Sequence, residues 1–340
     1  MTAQKRILLV RTDRIGDVVL TTPALALLRR KYPAAHIALL VRPYTAGAVR
    51  NNPDLNEVIE FDGVLKTARL LREKKFHAAV LFFVDRPSAL TVFLARIPRR
   101  IGPASKIWSL LLTRPVFQNR SRGKRHEADY NTALLAPLGV EFQKIPPVIF
   151  CPPPQRIWAE QYLTSEFGIA PASDTVFLHP GSRGSARDWP LQNFAELALL
   201  LRKARPDLHI LFTGSGAELA ALARNIKPEP GIHLMRHDLP LEKYCALVSK
   251  AAVMAANSTG PLHLAVALGV PVVAFFPPLA GCLPVRWGPY GGKSDTLMPD
   301  RKEWDEFCAR EGSDQNAMRL IAPVHALPAV LQQLEGAGKR

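Results

Sequence analysis

"RILLVRTDRIGDVVLTTPALALLRRKYPAAHIALLV", Arg6 to Val41, holds one complete repeat of the grammar that governs the chain. The apolar run Ile7–Val10 has the length of a buried strand, the apolar residues from Asp17 to Lys31 recur at helical spacing, and "HIALLV" from His36 is strand-like again. Two successive strands joined by a helix lie parallel, because the crossover returns the chain to the same end of the sheet. The pair Gly16-Asp17 sits where strand hands over to helix. Asp17 has two readings there. It is a helix-capping acid, or it is a carboxylate placed for chemistry beyond a strand's carboxyl end, where open parallel sheets bind ligands.

The same alternation extends to both ends. In the first half come "EVIEF", a basic amphipathic stretch over 64–75, "AAVLFFV" and the helix-like "EADYNTALLAPLG". "KIPPVIFCPPPQ" then reads as a proline-rich linker. The second half restarts with "TVFLHPGSRGSARDWP", a helix over 191–204, "LHILFTGSG", a helix from Ala217, "IHLM", a helix over 241–250, "AAVMAAN", a short helix and "VPVVAFF". No fixed-period repeat interrupts this order. The expectation is α/β, with two doubly wound parallel-sheet domains, 1–152 and 153–340, facing across a cleft. The last helix is left free to pack back on the first domain.

With 340 residues, 48% of them apolar and 21% charged, the chain can bury two real cores. No signal peptide and no membrane span is read, and four separated cysteines fit a reducing cytosol. The net charge of +15 favours polyanionic partners. Much of it lies between Arg96 and Arg125, including Arg99, Arg100, Lys106, Arg114, Arg120, Arg122, Lys124 and Arg125. No recognition helix, zinc finger or aromatic RNA-binding signature accompanies it, so no specific nucleic acid is expected.

The second-half loops follow one design, in which an apolar strand ends in small and polar residues before a helix starts. "HPGSRGSARDWP" offers Gly181, Ser182, Gly184 and Ser185 for close backbone approach, with Arg183 and Arg187 alongside. In "NSTGPLHLAVALG", Ser258, Thr259 and Gly260 precede a helix whose unpaired N–H groups and positive end suit an anion. Together these favour a diphosphate, although neither loop is a P-loop. Glu218, after "TGSG", is a ribose-binding acid or a first-turn acid of its helix. His263 and His179 are core histidines or phosphate donors. No metal-ligand spacing and no covalent nucleophile set is present.

"RTDRIGDVVLTTPALALL", "HPGSRGSARDWPLQNFAELA", "FTGSGAEL" and "NSTGPLHLAVALGVPVVAFF" together resemble glycosyltransferase family 9, the ADP-heptose:lipopolysaccharide heptosyltransferases. The resemblance implies a GT-B architecture with two Rossmann-like domains, acceptor on the first and nucleotide sugar on the second. It implies inverting transfer without a metal or other cofactor. Carried over, the catalytic aspartate falls on Asp17 beside Gly16. The loop cation, usually lysine, falls on Arg187, the loop hydroxyl on Ser182 with Ser185 nearby, and the ribose acid on Glu218. The phosphate-facing turn falls on Thr259, Gly260 and His263. Ser258 stands where the family commonly has aspartate.

The expected function is transfer of heptose from ADP-heptose to a lipopolysaccharide core acceptor, with Asp17 as base and Arg187 on the leaving diphosphate. Gly16 would face the acceptor, and Arg120, Arg122, Lys124 and Arg125 would guide the phosphorylated acceptor or an anionic membrane surface. The enzyme would work in the cytoplasm, peripheral to the inner face of the membrane. The alternatives are another nucleotide sugar and cell-surface glycan, or a non-catalytic basic protein binding membrane or nucleic acid.

Overall fold

Inner strands that are apolar between their ends build each sheet, as burial on both faces demands. The computed structural model describes residues 4–337 except 183, 185, 228, 236 and 237, and the chain divides after Phe150 into two compact units. The first unit runs β1 (Arg6–Arg11), α1 (Ile15–Val19), α2 (Thr22–Lys31), β2 (His36–Val41), β3 (Glu57–Glu60), α3 (Val64–Glu73) and β4 (Ala78–Leu81). It continues with α4 (Arg86–Leu94), β5 (Arg99–Pro103), β6 (Arg114–Val116) and α5 (Glu127–Ala133). All strands are parallel, in the order β3-β2-β1-β4-β5-β6.

Alternate residues of each strand feed opposite faces of this sheet. Ile7 and Leu9 meet Leu25 and Leu28 of α2, while Leu8 and Val10 share a core with Leu71 of α3 and Val92 of α4. The helix expected over 17–31 is two helices. Thr21 and Thr22 turn their hydroxyls back to the carbonyls of Val18 and Val19, and Pro23 opens the second helix. The basic segment after Arg96, in which no strand was expected, contributes two neighbouring strands at one edge, β5 and β6.

The second unit begins with α6 (Pro153–Phe167), whose prolines occupy the first turn, where no N–H is missed. The "linker" prolines therefore start a helix. There follow β7 (Thr175–His179), α7 (Leu191–Ala204), β8 (His209–Phe212), α8 (Gly216–Asn225), β9 (Ile232–Leu234), α9 (Leu241–Val248) and β10 (Val253–Asn257). The unit closes with α10 (Gly260–Ala267), β11 (Val272–Phe275), α11 (Pro284–Trp287), β12 (Ser294–Leu297), α12 (Arg301–Glu311) and α13 (Pro323–Ala337). The final helix groups with this unit, where it packs on α7 and the sheet.

The second sheet is also parallel, in the order β12-β11-β10-β7-β8-β9. Counted from β7, that is the same 3-2-1-4-5-6 order as the first sheet, read from the other edge. Both are Rossmann sheets, and each has one point where the winding reverses: β1 beside β4, and β7 beside β10. Ligands of such sheets bind beyond the strand ends at that point. The Arg11–Asp17 turn follows β1. The Pro180–Trp189 loop and the Ser258–Gly260 turn follow β7 and β10.

Candidate active site

At the end of β1 a guanidinium is buried among acids. Arg11 is 2% exposed; its Nε donates to Asp13 Oδ1 at 2.7 Å and its Nη2 to Asp17 Oδ1. Its Nη1 reaches Asn131 Oδ1 at 3.1 Å and Glu127 Oε1 at 3.4 Å, both on α5. Glu127 in turn accepts from Arg120 Nη1 at 2.6 Å. Burial opposes the charge on Arg11, but Asp13, Asp17 and Glu127 outweigh it and hold the guanidinium above its ordinary value.

Asp17 is not the helix cap. Arg14 occupies that position, and Asp17 lies in the first turn with its carboxylate turned to Arg11. Burial pushes the Asp17 carboxyl up, the Arg11 charge opposes this, and the charges of Asp13 and Glu127 add to it, leaving it at about 6. Its place in the first turn of a helix favours the ionised form, and burial with the neighbouring acids overrides that. A carboxylate poised near neutrality is a far better proton acceptor than one at 3.8. Tyr44 stands by the same turn, donating its hydroxyl to Asp13 O at 2.8 Å with half its surface open.

In the second unit one buried amide ties the two switch-point loops together. Asn257, at the end of β10, accepts the Trp189 N–H on Oδ1 at 2.8 Å and donates from Nδ2 to Pro180 O at 2.6 Å. Trp189 is itself fully buried, stacked on Phe275 at 4.0 Å and hydrogen-bonded through Nε1 to Ile321 O at 2.8 Å. The loop between Pro180 and Trp189 is thus pinned at both ends. Ser182 is buried inside it, and Arg187 and Asp188 lie on its open side. Asp188 is raised to about 6, by burial of its carboxyl first, with a Ser182 hydrogen bond opposing and the charge of Glu218 adding.

Thr259 caps α10, and Thr259 and His263 are both buried while Ser258 and Gly260 are half-buried beside them. Thr259 makes no side-chain cap bond, and Pro261 stands in the first turn of this eight-residue helix. Arg187 is held by Asp314, Nε to Oδ2 at 2.9 Å and Nη2 to Oδ1 at 2.8 Å. Glu218 accepts from the Ser215 N–H at 2.7 Å and hydroxyl at 2.6 Å, capping its own helix. It also lies against Gly181: a Cβ there would fall 1.9 Å from Oε1, so any side chain at 181 would displace the Glu218 carboxylate. Ser185 lies outside the described residues. His179 sits beneath in a buried polar triangle, 2.9 Å from Thr213 Oγ1, which is 3.1 Å from the Tyr244 hydroxyl.

The glycosyltransferase family 9 (heptosyltransferase) profile matches residues 64–315. The chain belongs to glycosyltransferase family 9. A Haemophilus influenzae protein provisionally named a glycosyltransferase is 28% identical, with 96% of each chain covered. Lipopolysaccharide heptosyltransferase 2 of Escherichia coli K12 is 24% identical over 80% of this chain and 83% of its own length. Among solved structures, a family 9 glycosyl transferase from Veillonella parvula superposes with a TM-score of 0.82 at 21% identity, with 99% of each chain covered. E. coli ADP-heptose lipopolysaccharide heptosyltransferase II gives 0.82 at 19% identity, covering 98% of this chain and 99% of that one. The architecture is of the GT-B type, and the protein is a glycosyl-transferring enzyme.

In this family 9 enzyme the basic residues after β6 separate into two kinds. Arg120 is half-buried, donating to Glu127 and to Gln118 at 2.9 Å and lying over the Tyr130 ring, so it belongs to the Arg11 network. Arg122, Lys124 and Arg125 are exposed. Gly16 is buried in α1 beneath the turn. Sequence reasoning passed over Arg11, Glu127, Asn131, Asp188, Asn257 and Asp314. Arg11 and Asn257 were detectable, as polar residues ending otherwise apolar strand runs. The others are brought in only by contacts made far along the chain. No helix among the described residues is long and apolar enough to cross a membrane.

Proposed function

We propose that this enzyme transfers heptose from ADP-heptose to a phosphorylated lipopolysaccharide core sugar, with inversion and without a metal, at the inner face of the cytoplasmic membrane. What carries the reading is the Asp17 carboxylate, held by Arg11 at the winding reversal of the first sheet and raised to about 6. Inverting transfer needs one group to take the acceptor hydroxyl's proton and others to stabilise the leaving diphosphate.

In this reading the acceptor oxygen attacks the anomeric carbon, the bond from that carbon to the diphosphate oxygen breaks, and the acceptor proton passes to Asp17. Arg187 exchanges Asp314 for phosphate oxygens, and the N–H groups at the start of α10, with Thr259 and Gly260, receive the remaining charge. Ser182 and His263 line the donor loops, while Glu218 serves the ribose through its carboxylate. Arg122, Lys124 and Arg125 draw in the phosphorylated acceptor.

Ser258 supports a second reading of the donor. A short neutral hydroxyl replaces the aspartate common in the family, which suits a sugar with a different hydroxyl pattern. ADP release from ADP-heptose, ADP-glucose and UDP-sugars, each with and without a lipopolysaccharide acceptor, decides between them. Acceptor-dependent turnover confined to ADP-heptose is expected. Turnover confined to another donor overturns the heptose assignment, and no acceptor-dependent turnover with any donor favours the non-catalytic reading.

A further inference from the structure

Between β5 and β6 the chain makes a short 3₁₀ helix, Ile107–Leu111, in which no residue is fully buried. Its three-residue turn brings side chains at i and i+3 into line. Trp108 and Leu111 face inward, against the core shared by α3 and α4. Ile107 and Leu110 form the opposite ridge and are 73% and 82% exposed. The ridge is fixed: the Ser109 N–H and hydroxyl both bond Lys106 O, at 2.9 and 2.6 Å, and the Leu112 N–H bonds Ser109 O at 3.0 Å. Phe117, just past the edge strand β6, is 90% exposed. Single exposed apolar residues mean little, but a rigid aliphatic ridge is unfavourable in water unless something covers it.

The charges around it indicate what that is. Lys106, exposed, lies 4.0 Å from the Phe83 ring, and Arg86, also exposed, lies over the ring of Trp108 in the same 3₁₀ helix. Arg114 is exposed on β6. From Arg86 to His126 the chain contains ten lysines and arginines and no acid. A second copy of this face is a poor partner, because a two-fold contact would set these cations against each other. Nucleic acid would use the cations but has no use for Ile107 and Leu110.

We infer that this ridge is a membrane wedge: Ile107 and Leu110 enter an anionic bilayer's interface while Lys106, Arg86 and Arg114 engage its headgroups. An apolar insertion combined with basic residues gives the reversible, two-signal binding of a peripheral protein. The inference rests on the membrane-surface part of the proposed function and gives it a location, but it is independent of the donor and of catalysis.

The test is flotation of the purified full chain with phosphatidylcholine vesicles, with and without phosphatidylglycerol, for the wild type, Ile107→Ser/Leu110→Ser and Lys106→Ser/Arg114→Ser. Wild type should bind only the anionic vesicles, less so as salt rises. The aliphatic pair should weaken binding about ten-fold or more, as expected for loss of two inserted side chains, and the basic pair by about five-fold per charge. Both pairs are at the surface, so melting curves should match wild type, and transfer to a water-soluble acceptor fragment should be unchanged. Wild type that ignores anionic vesicles, or an aliphatic pair that binds them equally well, overturns the wedge. So does a wild-type dimer that dissociates in the Ile107→Ser/Leu110→Ser variant. Each result is read whether or not ADP-heptose proves to be the donor.

Discussion

Asn257 accepts the backbone N–H of Trp189 at 2.8 Å, joining the end of β10 to a loop that began at the end of β7. Its amide also binds the Pro180 carbonyl, so one buried side chain sets the width of the loop in which Ser182 and Arg187 lie. Asn257→Ala leaves a buried donor and a buried acceptor unpaired, at about 1 to 3 kcal/mol for each. The second unit should lose stability in chemical denaturation, and ADP affinity measured by calorimetry should fall with it. Asn257→Asp should also be destabilising, because it turns an oxygen toward the Pro180 carbonyl. Unchanged stability and ADP affinity in both variants would remove Asn257 from the site's support.

Arg187 and Asp314 form an ion pair at the surface, with Arg187 half exposed. Exposed pairs of this kind contribute little, so a diphosphate can displace Asp314 at small cost. Arg187→Ala should weaken ADP binding by about one to two powers of ten, the range of a charged hydrogen bond. Arg187→Lys should recover part of it, losing the fork geometry but keeping the charge. Asp314→Ala should alter ADP affinity by only a few-fold. Normal ADP affinity in Arg187→Ala would move the diphosphate elsewhere.

The pH profile follows from the Arg11 cluster. A base raised to about 6 is protonated as pH falls through that value, so the transfer rate should drop toward tenfold per unit below it and level off above. Glu127→Gln removes one of the negative charges that raise Asp17, so the acid limb should move to lower pH. A rate flat down to pH about 4, or a limb that moves upward in Glu127→Gln, contradicts this assignment of the base.

The apolar runs made the two parallel sheets readable, since Leu8–Val10 and Val253–Ala256 can be little else than buried strands. The glycine-rich loops after them were readable for the same reason: a strand that ends in small residues before a helix marks a switch point. β5 and β6 were hidden because "RRIGP" and "RPV" carry charge and proline, which the edge strand β6 tolerates and which β5, next to it, carries at its ends. The surroundings of Asp17 were hidden for another reason. Glu127 and Asn131 lie more than a hundred residues from Arg11, and only the packing of α5 onto α2 brings them together. A charge environment assembled at that distance has no local signature.

The exposed cations after β6 should act on the acceptor alone. Replacing Arg122, Lys124 and Arg125 by serine is expected to raise acceptor KM, with the effect fading as salt shortens the Debye length from about 10 Å at 0.1 M. ADP affinity should stay as it is. Arg120 is left in place, because its loss would take a 2.6 Å ion pair from the buried Glu127 and confuse stability with binding. An acceptor KM unchanged at low salt would show that these side chains face no substrate.

The central claim is that Asp17 removes the acceptor's proton, and Asp17→Asn tests it most directly. Asparagine can still accept the Arg11 hydrogen bond through its amide oxygen, and Asp13 and Glu127 remain to balance the guanidinium, so fold and ADP affinity should be retained. The amide cannot take a proton. Turnover at saturating donor and acceptor should fall by about 10² to 10⁴, while Asp13→Asn, in the same turn and on the same guanidinium, stays active. A folded Asp17→Asn enzyme that keeps more than about a tenth of wild-type turnover, against a general-base contribution of that size, would make Asp17 a partner of Arg11 and nothing more.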